Sequence, residues 1–273
     1  MRILVKIGGA QLEQPEARAR LCAAVAGARE QGDEVVVVHG GGNQIRALGG
    51  ALGLEDRYHQ GLRVTDEATA GAALMVLGGS VNRTLVQSLQ TAGVRAAGLT
   101  GADGATFTAR PLQRDGVDLG FVGVVDHVDP RLVEALLSAD VTPVIGTVAP
   151  RADASADEPF YNINADHAAG PLCRALRCDA LLFLTDVPGV LDAEGRLLPL
   201  LTDADCDRLV ESGAATGGML PKLDAARGAA REHPRAIVKI APADADDCIR
   251  SGLRDGAGTR FFARSDSQEV LHG

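Results

Sequence analysis

Apolar residues occur along this chain in two kinds of block. One is a short unbroken run of aliphatic or β-branched residues, as in Ile3-Leu4-Val5, Val35-Val36-Val37-Val38 and Leu181-Leu182-Phe183-Leu184. Such runs have the composition of strands covered on both faces inside a parallel sheet. The other spaces apolar residues along one helical face, as at Ala17, Leu21, Val25 and Ala28, which are three to four residues apart. Read in this way, the chain predicts strands at 2–7, 35–38, 94–99, 141–148, 160–163, 180–185, 236–240 and 259–263. Helices are predicted at 15–31, 43–52, 164–176, 202–212, 219–232 and 243–251, with another opened by Asp129-Pro130. A long helical segment after Thr65, which is placed to cap it, carries Val76, Leu77, Val81, Leu85 and Leu89. Residues 106–125 read as a hairpin excursion, 151–158 as an exposed loop, and 264–273 as a frayed tail. Strand, helix and strand alternate at βαβ spacing, so the fold class is α/β with a mainly parallel sheet.

Composition narrows this picture. The 273 residues are 46% hydrophobic but only 3% aromatic, with no tryptophan, so the core must be aliphatic. A net charge of −9 argues against nucleic acid or an anionic membrane as partner. Cys22, Cys173, Cys178, Cys206 and Cys248 are scattered, which fits reduced thiols and a cytoplasmic setting better than a disulfide or zinc framework. No apolar run has membrane-spanning length. The compositional seam near 176–180 divides an N-terminal lobe, 1–178, from a C-terminal lobe, 179–273.

Candidate chemistry gathers where strands or loops run into glycines ahead of helices. Gly8-Gly9 follow Lys6, Gly40-Gly41-Gly42 follow the valine strand, and Gly217-Gly218 precede a helix bearing Lys222. Such junctions expose backbone N–H groups at positive helix ends and suit anions. Side by side at strand C-termini, they would line one crevice. A tight turn that only glycine can make is the other reading of each junction taken alone. Neither Gly-x-x-x-x-Gly-Lys-Ser/Thr nor a dinucleotide fingerprint is present. The lysines, Lys6, Lys222 and Lys239, stand out among 27 basic residues, and a compact ammonium serves where a point charge is needed. His39 beside the glycines reads as structural; His167 and Lys239 receive no role.

Six ordered motifs then amount to a resemblance. LVKIGG at 4–9, VVHGGG at 37–42, GLRVT at 61–65, NINAD at 162–166, LTDVPGVLD at 184–192 and GGMLPKL at 217–223 resemble the amino acid kinase family, as does Gly-Thr-Arg at 258–260. The resemblance is to the branch that phosphorylates N-acetyl-L-glutamate on the route to arginine. It implies a three-layer αβα sandwich with a mainly parallel open sheet in two lobes, the first binding the acceptor and forming a homodimer, the second binding ATP. By the same resemblance Lys6 and Lys222 neutralise the transferring γ-phosphoryl group, and Asp166 holds both ammonium groups in register. Gly8, Gly9, Gly41 and Gly42 face phosphoryl oxygens and acceptor, Arg63 pairs with the acceptor α-carboxylate, and Asn162 bonds its backbone. Asp186, Val187, Pro188, Gly189, Val190 and Leu191 bind ATP, and Ala214, Ala215 and Thr216 close over it. Mg²⁺ rides mainly on the phosphates, with no protein metal site. A strand starting at Arg2 implies a dimer without the N-terminal helix of arginine-inhibited relatives, its surface on the 68–89 segment. The rivals are a kinase for carrier-bound α-aminoadipate or glutamate, disfavoured because an acidic surface repels an acidic carrier, and a silent amino-acid or nucleotide sensor, which has no need of Lys6, Lys222 and Asp166 together.

Overall fold

The computed structural model describes residues 1–59, 61–114, 116–215 and 217–263. Thr216 and the tail after residue 263, read above as closing over nucleotide and as frayed, lie outside the described residues. The valine run is wholly buried, as are Ile3, Leu4 and Val5. Arg2–Ile7 pairs in parallel with Glu34–His39 on one side and Ala180–Thr185 on the other. The described residues form an eight-stranded sheet in the order Leu200–Leu201, Thr259–Phe261, Ile237–Pro242, Ala180–Thr185, Arg2–Ile7, Glu34–His39, Thr142–Gly146, Ala96–Leu99. Its one antiparallel junction joins Ile237–Pro242 to Thr259–Phe261.

The pleat sorts these strands' side chains onto two faces. Leu4, Val36, Val38, Leu181 and Phe183 pack with helices Arg131–Ser138, Ala165–Ala175, Asp203–Glu211 and Met219–Glu232. Ile3, Val5, Val35, Val37 and Leu182 pack with Pro15–Glu30, Val81–Thr91 and Cys248–Leu253. Both faces are therefore covered, and the architecture is a three-layer αβα sandwich. Full burial of each such aliphatic side chain contributes about 1.5–3 kcal/mol, which explains how a core with few aromatics suffices. The excursion at 106–125 becomes strands Phe107–Pro111 and Val122–Val128. They join Tyr161–Ile163 and Val148–Ala149 in a separate four-stranded sheet.

Several local expectations are corrected. Asp66, not Thr65, caps the helix Glu67–Leu74: its carboxylate accepts from Thr69 N at 2.8 Å, while the Thr65 hydroxyl donates to the Arg63 carbonyl. The long helix is broken by a π-helical turn, Met75–Ser80, before Val81–Thr91 resumes. That turn re-phases the side chains, leaving Met75 60% exposed while Val76 and Leu77 are buried. The predicted 243–251 helix is shorter and later, at Cys248–Leu253, because Asp247 closes the preceding acidic run and accepts from Arg250 N. Around Gly61, Tyr58–His59 and Leu62–Arg63 pair antiparallel in a small hairpin that the hydrophobic pattern does not mark.

Candidate active site

The register Ile7↔His39 brings the ends of two adjacent parallel strands level. Their glycine turns therefore meet, and Gly40 N donates to the Ile7 carbonyl at 3.2 Å. A Cβ on Gly9 would lie 2.7 Å from the Gly41 Cα, and one on Gly41 would lie 2.9 Å from Leu77 Cδ2. At Gly9 the clash is with backbone and only glycine fits; at Gly41 it is with the end of the Leu77 side chain. Gly41 also caps the helix Gly42–Ala51, whose N-terminus opens on the same space.

A second helix N-terminus arrives opposite. Asn164 caps Ala165–Ala175, its side-chain oxygen accepting from the backbone N–H groups of Asp166 at 2.9 Å and His167 at 3.3 Å. This cap sets Asp166 in the first helical turn, where a carboxylate also gains from the helix dipole. The Met219–Glu232 helix packs on this one through small residues: a Cβ on Gly170 would stand 3.3 Å from the Ala229 Cβ. That packing carries Lys222 from late in the chain to the same carboxylate.

The result is a triad drawn from three distant segments. Lys6 Nζ lies 2.7 Å from Asp166 Oδ1, and Lys222 Nζ lies 3.1 Å from the same oxygen. Lys6 and Asp166 are buried. Burial pushes the Lys6 ammonium down to about 8, opposed by Asp166 and reinforced by Lys222. For Asp166, burial alone would raise the pKa, but the two ammonium groups outweigh it and hold the carboxyl below its usual range. One carboxylate and two cations leave net positive charge at the base of the cleft. This is where an incoming anion is stabilised most.

The cleft holds about 230 Å³, and its walls include Lys6, Gly8, Gly9, Gly41, Gly42, Arg63, Asn162 and Asp166. Arg63 is buried, with Cζ 4.8 Å from the Tyr58 ring centroid and Nη2 donating to the Gly42 carbonyl at 2.8 Å. Its Nη1 meets Asp56. Asn162 Nδ2 reaches Thr65 Oγ1 at 3.4 Å. A second cavity, about 310 Å³, is lined by Val187, Gly189, Val190, Leu191, Ala214, Ala215 and Met219. Asp186 instead borders a third space with Gln11 and Asp244, and Pro188 is exposed and lines neither of these cavities. Among the described residues no three His, Cys, Asp or Glu side chains converge on a metal site.

The remaining candidates are settled by their contacts. Lys239 Nζ donates to the Arg254 carbonyl at 2.7 Å, at the C-terminal end of the Cys248–Leu253 helix, where a cation is favoured. His39 is wholly buried and burial pushes it down to about 4, so it is neutral. Sequence reasoning gave no site role to Asn164, which caps Ala165–Ala175, or to Tyr58 and Asp56, which contact Arg63. The helix-capping signal of Asn164 was readable; Asp56 reaches Arg63 only through the hairpin turn, which leaves no periodic mark.

A sequence profile described as the amino acid kinase family matches residues 1–239. The chain is 44% identical over 245 residues to a protein from Acidobacterium capsulatum named acetylglutamate kinase, covering 90% of this chain and 92% of that one. It is 40% identical over 263 residues to the acetylglutamate kinase of Methanopyrus kandleri, covering 94% and 98%. Among solved structures, a protein from Streptococcus mutans superposes with a TM-score of 0.79 at 27% identity, covering 96% of this chain and 99% of the other.

Proposed function

Since the chain belongs to the amino acid kinase family, we propose that it transfers the γ-phosphoryl group of ATP to the γ-carboxylate of N-acetyl-L-glutamate. The products are N-acetyl-L-glutamyl 5-phosphate and ADP, a step of arginine biosynthesis. The observation that carries this reading is the convergence of Lys6 and Lys222 on Asp166 at the base of a glycine-lined cleft.

The acceptor occupies the cleft, with its α-carboxylate on Arg63, whose planar fork suits a carboxylate, and its acetylamino group near Asn162. ATP lies on the Val187–Leu191 side, with Ala214 and Ala215 flanking it. An acceptor oxygen attacks the γ-phosphorus in line as the bond to the ADP oxygen breaks. The acceptor carboxylate is ionised at neutral pH, so no general base is needed. Lys6 and Lys222 neutralise charge on the moving group from two sides, and the backbone N–H groups of Gly9, Gly41 and Gly42 meet its oxygens. Catalysis is then alignment and charge neutralisation. The cleft carboxylate is already bridged by two ammonium groups, so the residues present fit a Mg²⁺ carried on the nucleotide phosphates, where it would neutralise β- and γ-oxygens.

The N-terminal lobe, 1–178, is assigned to acceptor binding and dimerisation, and the C-terminal lobe, 179–273, to ATP. Exposed Leu74 and Met75, where the π-helical turn begins, support a homodimer surface on the 68–89 segment. Five free, buried cysteines suit a reducing cytoplasm, and no helix among the described residues is long and apolar enough to cross a membrane. Incubation with ATP, Mg²⁺ and N-acetyl-L-glutamate, with hydroxylamine present, should yield ADP and an acyl hydroxamate in equal amounts. ADP without hydroxamate, or hydroxamate only from a carrier-linked acceptor, would refute the assignment.

A further inference from the structure

A polar chain behind the glycine turn, exposed at Arg83 and buried at Asn82 and His39, has no part in the phosphoryl transfer. Arg83 Nη2 donates to Asn82 Oδ1 at 2.6 Å. The Asn82 amide nitrogen reaches the Val144 carbonyl at 3.0 Å and His39 Nε2 at 2.9 Å. Beyond the ring, His39 Nδ1 lies 3.1 Å from the Gly40 carbonyl oxygen. Asn82 and His39 have no solvent exposure.

The donor and acceptor roles along this chain follow from its ends. A guanidinium only donates, so Asn82 presents oxygen to Arg83 and its NH₂ to Val144 O and the imidazole. His39 Nε2 must then accept, and a neutral imidazole with Nε2 free carries its proton on Nδ1. That proton is donated to the Gly40 carbonyl. In a trans peptide the C=O and the next N–H point in opposite directions. Turning the Gly40 carbonyl towards the ring therefore turns the Gly41 N–H away from it. No acceptor among the described residues receives that N–H, and Gly41 lines the cleft.

We infer that His39 is a positioning residue: as its Nδ1–H tautomer, fixed by Asn82, it holds the Gly40 carbonyl back and aims the Gly41 N–H into the cleft. This rests on the reading of the cleft as the acceptor and phosphoryl site. The imidazole touches neither substrate and exchanges no proton during turnover. Its action is to hold one backbone donor in place before the substrates arrive.

The first test uses the wild-type protein. Nitrogen-15 NMR of the ring at neutral pH should report the neutral Nδ1–H form; an Nε2–H tautomer or an imidazolium overturns the inference, whatever the substrate proves to be. The second compares two variants with steady-state kinetics and thermal melting. In His39→Asn the amide nitrogen falls near Nδ1 and restores the donor; in His39→Gln the amide lies near Nε2 and does not. Both should melt earlier, since both lose ring packing. His39→Gln should lose roughly a hundredfold in kcat, the scale of a misplaced reacting group, and His39→Asn should recover roughly tenfold of it, with KM for ATP little changed. Equal kcat in the two variants overturns the inference. Failure of the wild type to phosphorylate N-acetyl-L-glutamate would refute the substrate assignment and leave the tautomer result standing.

Discussion

Asp166→Asn removes the single carboxylate shared by two ammonium groups, and its first effect should be on the charge of Lys6. The wild-type Lys6 ammonium sits at about 8. Its loss should therefore appear as an alkaline fall in kcat/KM, the parameter that reports the free enzyme. With asparagine at 166, Lys6 loses a counter-charge 2.7 Å away and keeps Lys222 as a like-charged neighbour. At an effective dielectric of about 20 that pair is worth about 6 kcal/mol before relaxation and water entry. Even a quarter of it, about 1.4 kcal/mol, corresponds to about one pH unit. The alkaline fall should then move to about pH 7 or below. Lys222→Gln, which removes the like charge, should move it upward on a lower overall rate. The assay is ADP release with N-acetyl-L-glutamate as the varied substrate, across about pH 6 to 10 to span both limbs. An Asp166→Asn limb that stays in place or moves to higher pH refutes the electrostatic reasoning.

Other outcomes follow from the same geometry. Lys222→Ala should lower kcat by roughly a hundredfold or more, as for loss of one transition-state charge donor; unchanged turnover would remove its role. Arg63→Ala should mainly raise KM for the acceptor, and a change confined to KM for ATP would contradict the pairing with the α-carboxylate. Burial holds Lys6 in the fold at about 8, below the ordinary lysine value of 10.5, so its charge destabilises the fold below about 8. That cost is relieved as pH rises from about 8 towards 10.5. Urea unfolding of Lys6→Met should lack this rise, and an identical slope in both proteins would count against a buried ammonium. Thr202 forms a capping box with Asp205 at the start of Asp203–Glu211; Thr202→Ala should cost about 1 kcal/mol in the same assay without altering kcat.

Much of this was legible in the sequence where one physical signal dominates. Buried parallel strands leave unbroken aliphatic runs, so Arg2–Ile7 and Ala180–Thr185 fall where the sequence places them. The turn at Gly9 was readable because close approach to the Gly41 backbone admits no side chain there. What escaped was set by tertiary contacts. The π-helical turn at Met75–Ser80 has no periodic signature, because its extra residue becomes visible only through the change of face after Leu74. The helix 243–251 was misplaced because Asp244, Asp246 and Asp247 are all plausible caps by composition, and only Asp247 has its carboxylate aimed at a helical N–H. The motif could not show that the backbone turn divides it: Val187, Gly189, Val190 and Leu191 line one cavity, while Asp186 borders the space with Gln11 and Asp244.

The join between the two halves of the chain is itself a strand pair. Five residue pairs, from Ile3↔Ala180 to Ile7↔Leu184, hold residues 1–178 to residues 179–273. A mechanical consequence follows. The two parts cannot swing on a flexible linker without breaking a ladder in the middle of the core, so any relative motion would be spread as a change of twist along the sheet. In such a torsional motion displacement grows with distance from the axis. Lys6, on the central strand, would sit close to the axis of such a twist, and Lys222, held to the same Asp166 oxygen, would stay with it.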